Sequence, residues 1–316
     1  MLAHANALEQ VLTGQHLQRP SWAVGLEALA LLWAGTWFAF VRHGWLVDAV
    51  NPAWVMLLSF GVCSLVFTDL AGFTPMMEAS DPAQVVALLN DYLEAMLVIV
   101  FRHEGTLDRF VGDAMAVLFS APVVQADHRQ RALDCALDMD AFATAYATRL
   151  QAQGIAWGMT RIGVHCGEVI VGNFGGKTLF DYRALGDPIN AAARLETVNK
   201  HLGTRVCVSQ AILVGCAGVP TRAVGRLVLK GKTQALQVFT PSATLDLALC
   251  APAHDYQAAL AMLQAGAAQG SDAPVPKALA AFEALAARYP QDPLVAPHLQ
   301  RLRQGAADDL IVMHDK

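Results

Sequence analysis

The sequence has little charge of either sign and no surplus of basic residues. Only 16% of its 316 residues are charged, and 22 Lys and Arg against 27 Asp and Glu give a net charge of −5. Nucleic-acid binders need a positive surface to meet the phosphate backbone, so this balance argues against a DNA or RNA partner. The apolar fraction is 55% and the mean hydropathy is +0.38. Both values are high for a soluble enzyme, and they predict that part of the chain meets lipid.

The cysteines and histidines lack the spacing of a metal or redox site. No two of the six cysteines form a C-x-x-C pair, and the ten histidines form no ligand cluster. These absences argue against a zinc site or a redox motif of usual spacing. We expect buried thiols in a reducing compartment. The cysteines are Cys63, Cys135, Cys166, Cys207, Cys216 and Cys250.

Two apolar runs lie near the N-terminus. Residues 22–41 have Glu27 as their only charge and are close to the ~20 residues that cross a bilayer. The second run, residues 45–67, must also supply a strand at its end, which leaves roughly residues 50–60 as a partial span. We therefore expect a transmembrane region at 22–60. The sequence does not decide between one crossing and two.

Residues 61–241 alternate strand-like and helix-like patterns, as α/β and α+β domains do. A cap residue followed by Pro82 predicts a helix that ends near Gly105. Two strands, 106–110 and 114–119, should then form a hairpin with an acid at its tip. We also expect helices at 128–150 and 188–200 and a strand at 160–165.

Two acids stand at the ends of neighbouring predicted strands. Asp69 follows the apolar end of the first strand, and Asp113 lies at the tip of the hairpin. Either acid alone would be interpreted as a turn or cap residue. Together they could hold a pair of divalent ions for an in-line displacement at phosphorus. Asn190 and Arg194, four residues apart on one helix face, add a group that seeks phosphate. The combination predicts phosphoryl or nucleotidyl transfer.

Three segments resemble the signature segments of class III nucleotidyl cyclases. They are FTDLAGFT at 67–74, FVGDAMAV at 110–117 and GDPINAAARLE at 186–196, in the family's order and spacing. The resemblance covers about residues 62–240 and implies an α+β fold with a ferredoxin-like βαββαβ catalytic domain at 61–241. It further implies an adenylate cyclase, in which the 3′-hydroxyl of ATP attacks the α-phosphate to give 3′,5′-cyclic AMP and pyrophosphate.

The resemblance also implies the ligands of two metal ions per site. Asp69 and Asp113 would hold two Mg²⁺ or Mn²⁺ ions, and the backbone carbonyl of Leu70 would be a further ligand. Carboxylate, carbonyl and phosphate oxygens are the donors that Mg²⁺ prefers.

The remaining roles concern the nucleotide. By the same resemblance, Asn190 would orient the ribose and Arg194 would stabilise charge on the pentacovalent phosphate. Lys230 would bind the terminal phosphates, although a solvated lysine at a strand end is the competing interpretation.

Two positions depart from the pattern of family adenylate cyclases. Where the family usually has Lys and an Asp or Thr to read the adenine edge, this chain has Arg109 and Arg183. Arginine donates hydrogen bonds and accepts none, whereas the amino group of adenine needs an acceptor. ATP remains the expected substrate, and guanylate cyclase stays an alternative.

The family also predicts the oligomeric state. Its metal-binding acids and its Asn and Arg lie on opposite sides of a head-to-tail dimer, so a homodimer should form two equivalent sites. Residues 169–182 would be an arm that reaches towards the partner. The alternative is a protein without enzymatic activity, namely a catalytically silent nucleotide-binding or dimerisation module.

The two ends of the chain suggest further parts. Residues 1–21 resemble the last piece of an extracytoplasmic sensor domain, and a natural short form and a truncated chain are both open. Residues 254–304 have the helical period of one tetratricopeptide-like helix pair, which we interpret as a packing appendage. Because nucleoside triphosphate is cytosolic, the catalytic domain should face the cytoplasm at the inner membrane.

Overall fold

A computed structural model describes residues 59–175, 180–229, 234–269 and 275–313. The predicted span at 22–41, the sensor-like residues 1–21 and Lys230 lie outside the described residues.

The described residues form one mixed sheet with helices packed against it. In chain order, the strands are β1 Ser59–Leu70, β2 Thr106–Val111, β3 Ala114–Phe119, β4 Thr160–Gly175, β5 Phe180–Leu185, β6 Val206–Ser209, β7 Thr221–Val228, β8 Leu236–Pro241 and β9 Leu310–Val312. The helices are α1 Phe73–Ala79, α2 Pro82–Arg102, α3 His128–Ala152, α4 Asp187–Leu202, α5 Gln210–Leu213, α6 Ala253–Gln269, α7 Val275–Arg288 and α8 Val295–Arg303. These elements confirm the α+β fold and the predicted hairpin.

Strand β1 lies in the interior of the sheet, between β3 and β4. The strand order is β2-β3-β1-β4-β6-β8-β7-β9, and β5 pairs with the distal part of β4. Strand β1 pairs antiparallel with β3 and, over twelve residues from Ser59 to Leu70, with β4. Residues 59 and 60 therefore belong to the sheet, and the predicted transmembrane region 22–60 was too long at this end. The extended backbone that pairs with β4 cannot also continue a membrane helix.

Helices α2 and α3 cover one face of the sheet. Helix α2 begins as predicted, because the Asp81 carboxylate accepts a hydrogen bond from the Ala83 N–H at 3.1 Å. Among the described helices, α2 alone is long and apolar enough to cross a membrane by length and composition. However, Tyr92, Met96 and Val100 lie in the domain core, as expected of a helix that packs on a sheet.

The cysteines lie inside the fold. Five of them are buried, Cys216 is half-buried, and all six are free thiols.

The C-terminal tail is larger than the predicted helix pair and extends the sheet. A third helix, α8, follows the pair, and β9 pairs parallel with β7 in the register Arg226↔Leu310. Tyr256 and Phe282 of the tail share an apolar core with Leu195 and Leu202 of α4. The tail therefore belongs to the same apolar core as the helix that carries Asn190 and Arg194.

A buried ion pair joins the tail to the catalytic domain. One Asp292 oxygen accepts hydrogen bonds from the Arg222 guanidinium at 2.9 Å and from the Ala251 N–H at 2.8 Å. The other accepts from the Leu294 and Val295 N–H groups at 2.9 and 3.3 Å. The Arg222 and Asp292 side chains are 3% and 0% exposed, so removal of either would leave the other charge buried and unpaired.

We expect Asp292→Ala to lower the free energy of unfolding by about 3–5 kcal/mol, because it strands the Arg222 charge inside the protein. Urea denaturation of the purified chain measures the change. Glu283→Ala is the matched control on the same tail, because the Glu283–Arg303 pair is 49% and 61% exposed. It should cost no more than about 1 kcal/mol. Equal effects of the two substitutions would contradict the structural role of the buried pair.

Candidate active site

The two predicted metal-binding acids meet at the end of β1. Gly112, with φ of +64°, turns the β2–β3 hairpin and places Asp113 at its tip. One Asp113 carboxylate oxygen accepts a hydrogen bond from the N–H of Leu70 at 3.1 Å. Because Leu70 directly follows Asp69, the structure brings both acids and the backbone of Leu70 to one place. Their role as metal ligands stays a prediction.

The environment of Asp113 disfavours its charge. Burial raises the pKa of this carboxyl, and the nearby negative charge of Asp69 raises the pKa further. Hydrogen bonds from its own N–H and that of Leu70, and the charge of Arg161, act in the opposite direction. A cation between Asp69 and Asp113 would relieve their repulsion. The described residues contain no group of three or more His, Cys, Asp or Glu that could hold a metal ion. Further ligands would therefore come from carbonyl, water or substrate oxygens.

Sequence reasoning missed Arg161, which contacts both Asp69 and the helix α4. It stands opposite Asp69 in the β1–β4 register, and its guanidinium donates a hydrogen bond to the Asp69 carboxylate. Its Nε lies 3.0 Å from the Glu196 carboxylate. The signal in the sequence is weak, an arginine near the start of a strand that also contains His165 and Glu168. The role of Arg161 can be inferred only once the pairing of its strand with β1 is known.

Glu196 is a buried acid in the same network. Burial raises its pKa from 4.5 to about 7, and the Asp69 charge adds to this shift. The charge of Arg161 and a hydrogen bond from Thr197 limit the rise. Its side chain is only 11% exposed, so it titrates inside the protein.

Helix α4 packs very closely on β4. A Cβ atom at Gly163 would lie 2.2 Å from the carbonyl oxygen of Ala192, so only glycine permits this approach. The Asn199 amide of the same helix donates to the carbonyl of Ile162 at 3.0 Å. Together, these contacts fix the helix on the sheet.

The outer face of α4 carries the predicted Asn and Arg. Asn190 is exposed and Arg194 is half-buried, and neither has a hydrogen bond or ion pair with another described residue. Within the part of the chain that the structure describes, no hydrogen bond or ion pair links them to Asp69 or Asp113. One chain therefore presents two separate groups of predicted site residues.

The two arginines at the expected base-reading positions are both paired with acids. Arg109 Nε lies 3.2 Å from the carboxylate of Asp108, and Arg183 donates to Asp181 at 2.7 Å. Sequence reasoning found these arginines but neither of their partners.

The comparisons with known proteins agree with the geometry. Residues 56–241 match the family described as Adenylate and Guanylate cyclase catalytic domain. The chain is 36% identical over 174 residues to Adenylate cyclase 1 of Rhizobium meliloti (strain 1021), covering 55% of this chain and 26% of that protein. It is 26% identical over 210 residues to the adenylate cyclase of Anabaena cylindrica, covering 61% of this chain and 40% of that protein. The chain thus spans less than half the length of these relatives.

Two solved structures share the fold. The adenylyl cyclase CyaB from P. aeruginosa superposes with a TM-score of 0.54 and 28% identity, covering 58% of this chain and 94% of that chain. The guanylyl cyclase Cya2 gives a TM-score of 0.53 and 28% identity, covering 60% of this chain and 95% of that chain. Because one is an adenylyl and the other a guanylyl cyclase, similarity of fold does not choose between ATP and GTP.

The raised pKa of Glu196 predicts a pH dependence of stability. Between its unfolded pKa of 4.5 and its folded pKa of about 7, the folded protein binds the proton more tightly. The unfolding free energy should therefore fall as pH rises through this window, then level off. Relative to Glu196→Gln, the loss should reach about 3 kcal/mol.

Urea denaturation of both proteins from pH 4.5 to 8, with EDTA present, measures this difference. Glu283→Gln serves as the control, because its side chain is 49% exposed. A stability difference between wild type and Glu196→Gln that is constant with pH would contradict the prediction.

Proposed function

This chain belongs to the adenylate and guanylate cyclase catalytic domain family, and on that premise we propose that it is an adenylate cyclase. It would convert ATP to 3′,5′-cyclic AMP and pyrophosphate. The observation that carries the proposal is the Asp113–Leu70 hydrogen bond, which places Asp113 beside Asp69. The two relatives named as adenylate cyclases favour ATP as the substrate.

The residues at the end of β1 fit a divalent cation. Two carboxylates and a backbone carbonyl are hard oxygen donors of the kind that Mg²⁺ and Mn²⁺ bind. Bound there, two such ions would lower the pKa of the attacking hydroxyl and neutralise the departing phosphate. We propose Asp69, Leu70 and Asp113 as their ligands.

The reaction itself is an internal displacement on ATP. The ribose 3′-oxygen forms a bond to the α-phosphorus and loses its proton, while the bond from this phosphorus to the bridging oxygen of pyrophosphate breaks. Negative charge accumulates on the phosphate oxygens in the transition state. Donors placed in advance around these oxygens lower the barrier, because they gain strength as the charge develops.

The chain has polar and cationic side chains for the ribose and for the negative charge of the phosphate groups. Arg194 would stabilise the pentacovalent phosphate, and Asn190 would hold the ribose. Lys230 would bind the terminal phosphates. Arg161, held between Asp69 and Glu196, places a further positive charge beside the metal site, where phosphate oxygens would meet it.

A homodimer would complete the site. Asp69 and Asp113 lie at the end of β1, whereas Asn190 and Arg194 occupy the outer face of α4, with no hydrogen bond or ion pair between the two groups in the described residues of one chain. We propose that each site takes its acids from one subunit and its Asn and Arg from the other.

The residues at the base-reading positions favour a second candidate function. Arg109 and Arg183 are donors, and the O6 of guanine is an acceptor, so a guanylate cyclase is the second candidate. The similarity to Cya2 is compatible with this alternative. A silent nucleotide-binding module is disfavoured, because it would have no chemical need for Asp69, Asp113 and Arg194 together.

We also propose that the protein is attached to the inner membrane through residues 22–41, with the catalytic domain in the cytoplasm. The support is the sequence of that run, which is long and apolar enough to cross a bilayer.

We expect the purified chain to form cyclic AMP from ATP with Mg²⁺ or Mn²⁺, and faster than cyclic GMP from GTP. Asp69→Ala and Asp113→Ala should abolish product, because each removes a ligand that no neighbouring acid replaces. Chromatography of the products with both nucleotides measures the activity.

Asp138→Ala is the matched control for this assay, because Asp138 is a half-exposed acid on α3 that pairs with His103. It should retain wild-type turnover. Nucleotide binding without product under every condition would establish the silent module, and a preference for GTP would establish the guanylate cyclase.

A mixture of Asp69→Ala and Arg194→Ala chains should recover activity that neither chain has alone. Random pairing makes half of the dimers mixed, and each mixed dimer holds one intact site, so about a quarter of the wild-type rate is expected. The cyclase assay after co-refolding or co-expression measures the recovery. Mixed dimers that are demonstrated by differently tagged chains, yet remain inactive, would contradict the shared site.

A further inference from the structure

Asp108 stands out of the regular pairing of the β2–β3 hairpin. Leu107 pairs with Val117 and Arg109 pairs with Ala116, so the register shifts and leaves Asp108 without a partner in the ladder. A bulge of this kind redirects one side chain, and bulges are common beside active sites. Asp108 is therefore free to bond outside its own hairpin.

The redirected carboxylate makes two contacts. One oxygen accepts a hydrogen bond from the N–H of Ala184 in β5 at 3.0 Å. The other lies 3.2 Å from the Nε of Arg109. The Asp108 side chain is only 2% exposed. A buried carboxylate is stable only when it is paired, and these two donors supply the pairing.

The partner strand β5 needs such an acceptor. It pairs with β4 along one edge, and a strand paired on one side leaves N–H groups unpaired on the other. Ala184 is 0% exposed and packs with Leu118 and Ala121, so water does not reach its N–H. Asp108 thus anchors β5 to the hairpin at the residue that directly follows Arg183.

We propose that Asp108 is a positioning residue that sets the base selectivity of the nucleotide site. It holds the Arg109 guanidinium on one side and the backbone next to Arg183 on the other, so it fixes the separation of the two arginines. The inference rests on the proposed function, which places both arginines at the purine base. With Nε held by Asp108, Arg109 offers its terminal nitrogens to the base from a fixed position.

Asp108→Asn tests the proposal. The amide oxygen can still accept from Ala184, but the charge that holds Arg109 is lost. The ratio of kcat/KM for ATP to that for GTP should change roughly tenfold, because the ion pair that holds the Nε of Arg109 is lost. The ratio of Kd values for 3′-deoxy-ATP and 3′-deoxy-GTP, which cannot cyclise, should change in parallel, while Tm stays near that of wild type.

A second variant tests the proposal even if Asp108→Asn does not fold. Arg109→Met leaves the Asp108–Ala184 bond in place and should change the ATP to GTP ratio to a similar extent. Because Asp108 acts through Arg109, Asp108→Asn should add little to the ratio in the Arg109→Met background. Asp138→Asn, on the surface of α3, is the matched control and should leave the ratio unchanged.

The proposal is overturned if neither Asp108→Asn nor Arg109→Met changes the ratio, or if Asp108→Asn lowers only Tm. Additive effects in the double variant would also overturn it. A wild-type chain that binds both 3′-deoxy nucleotides but forms no product would refute the cyclase function alone, and the Kd ratio would then decide this inference. Failure of the wild type to bind either nucleotide would refute both.

Discussion

The repulsion between two carboxylates at the end of the central strand is the constraint on which the rest of the site depends. Asp69 and Asp113 come from different strands, and the pairing of β1 with β3 and the Leu70 hydrogen bond hold them together. Burial raises the pKa of Asp113, so the arrangement costs stability unless positive charge is near. Arg161 supplies some of that charge, and divalent cations would supply more. Like charges that the fold holds close together are typical of functional sites.

The second group of site residues depends on packing rather than on charge. Helix α4 lies against β4 at Gly163, and its apolar residues share a core with the tail. These contacts leave the face with Asn190 and Arg194 uncovered. The buried Arg222–Asp292 pair fixes the tail to strand β7 of the same sheet. A helix that is fixed on a sheet can present a charged side chain with little loss of conformational freedom.

Local patterns in the sequence predicted the parts of the fold that local physics determines. The cap at Asp81, the hairpin turn at Gly112 and the helix with Asn190 and Arg194 all follow from neighbouring residues. Arg161 and Asp108 were missed because their roles depend on which strands pair and where a register shifts, and no short segment contains that information. The strand β9 was missed for the same reason, since it gains its partner from a strand some eighty residues earlier. The pairing of Asp69 with Asp113 was predicted from their positions at strand ends, whereas Leu70 as a ligand and the base-reading roles of Arg109 and Arg183 were predicted only through the resemblance of whole segments.

The most direct test of the account is the position of bound metal. Anomalous diffraction from crystals of the chain with Mn²⁺ and 3′-deoxy-ATP would locate the ions without any turnover. We expect ions within about 2.0–2.6 Å of carboxylate oxygens from both Asp69 and Asp113, with Arg194 of a second copy facing the α-phosphate. Ions held by only one of these acids, or by neither, would contradict it.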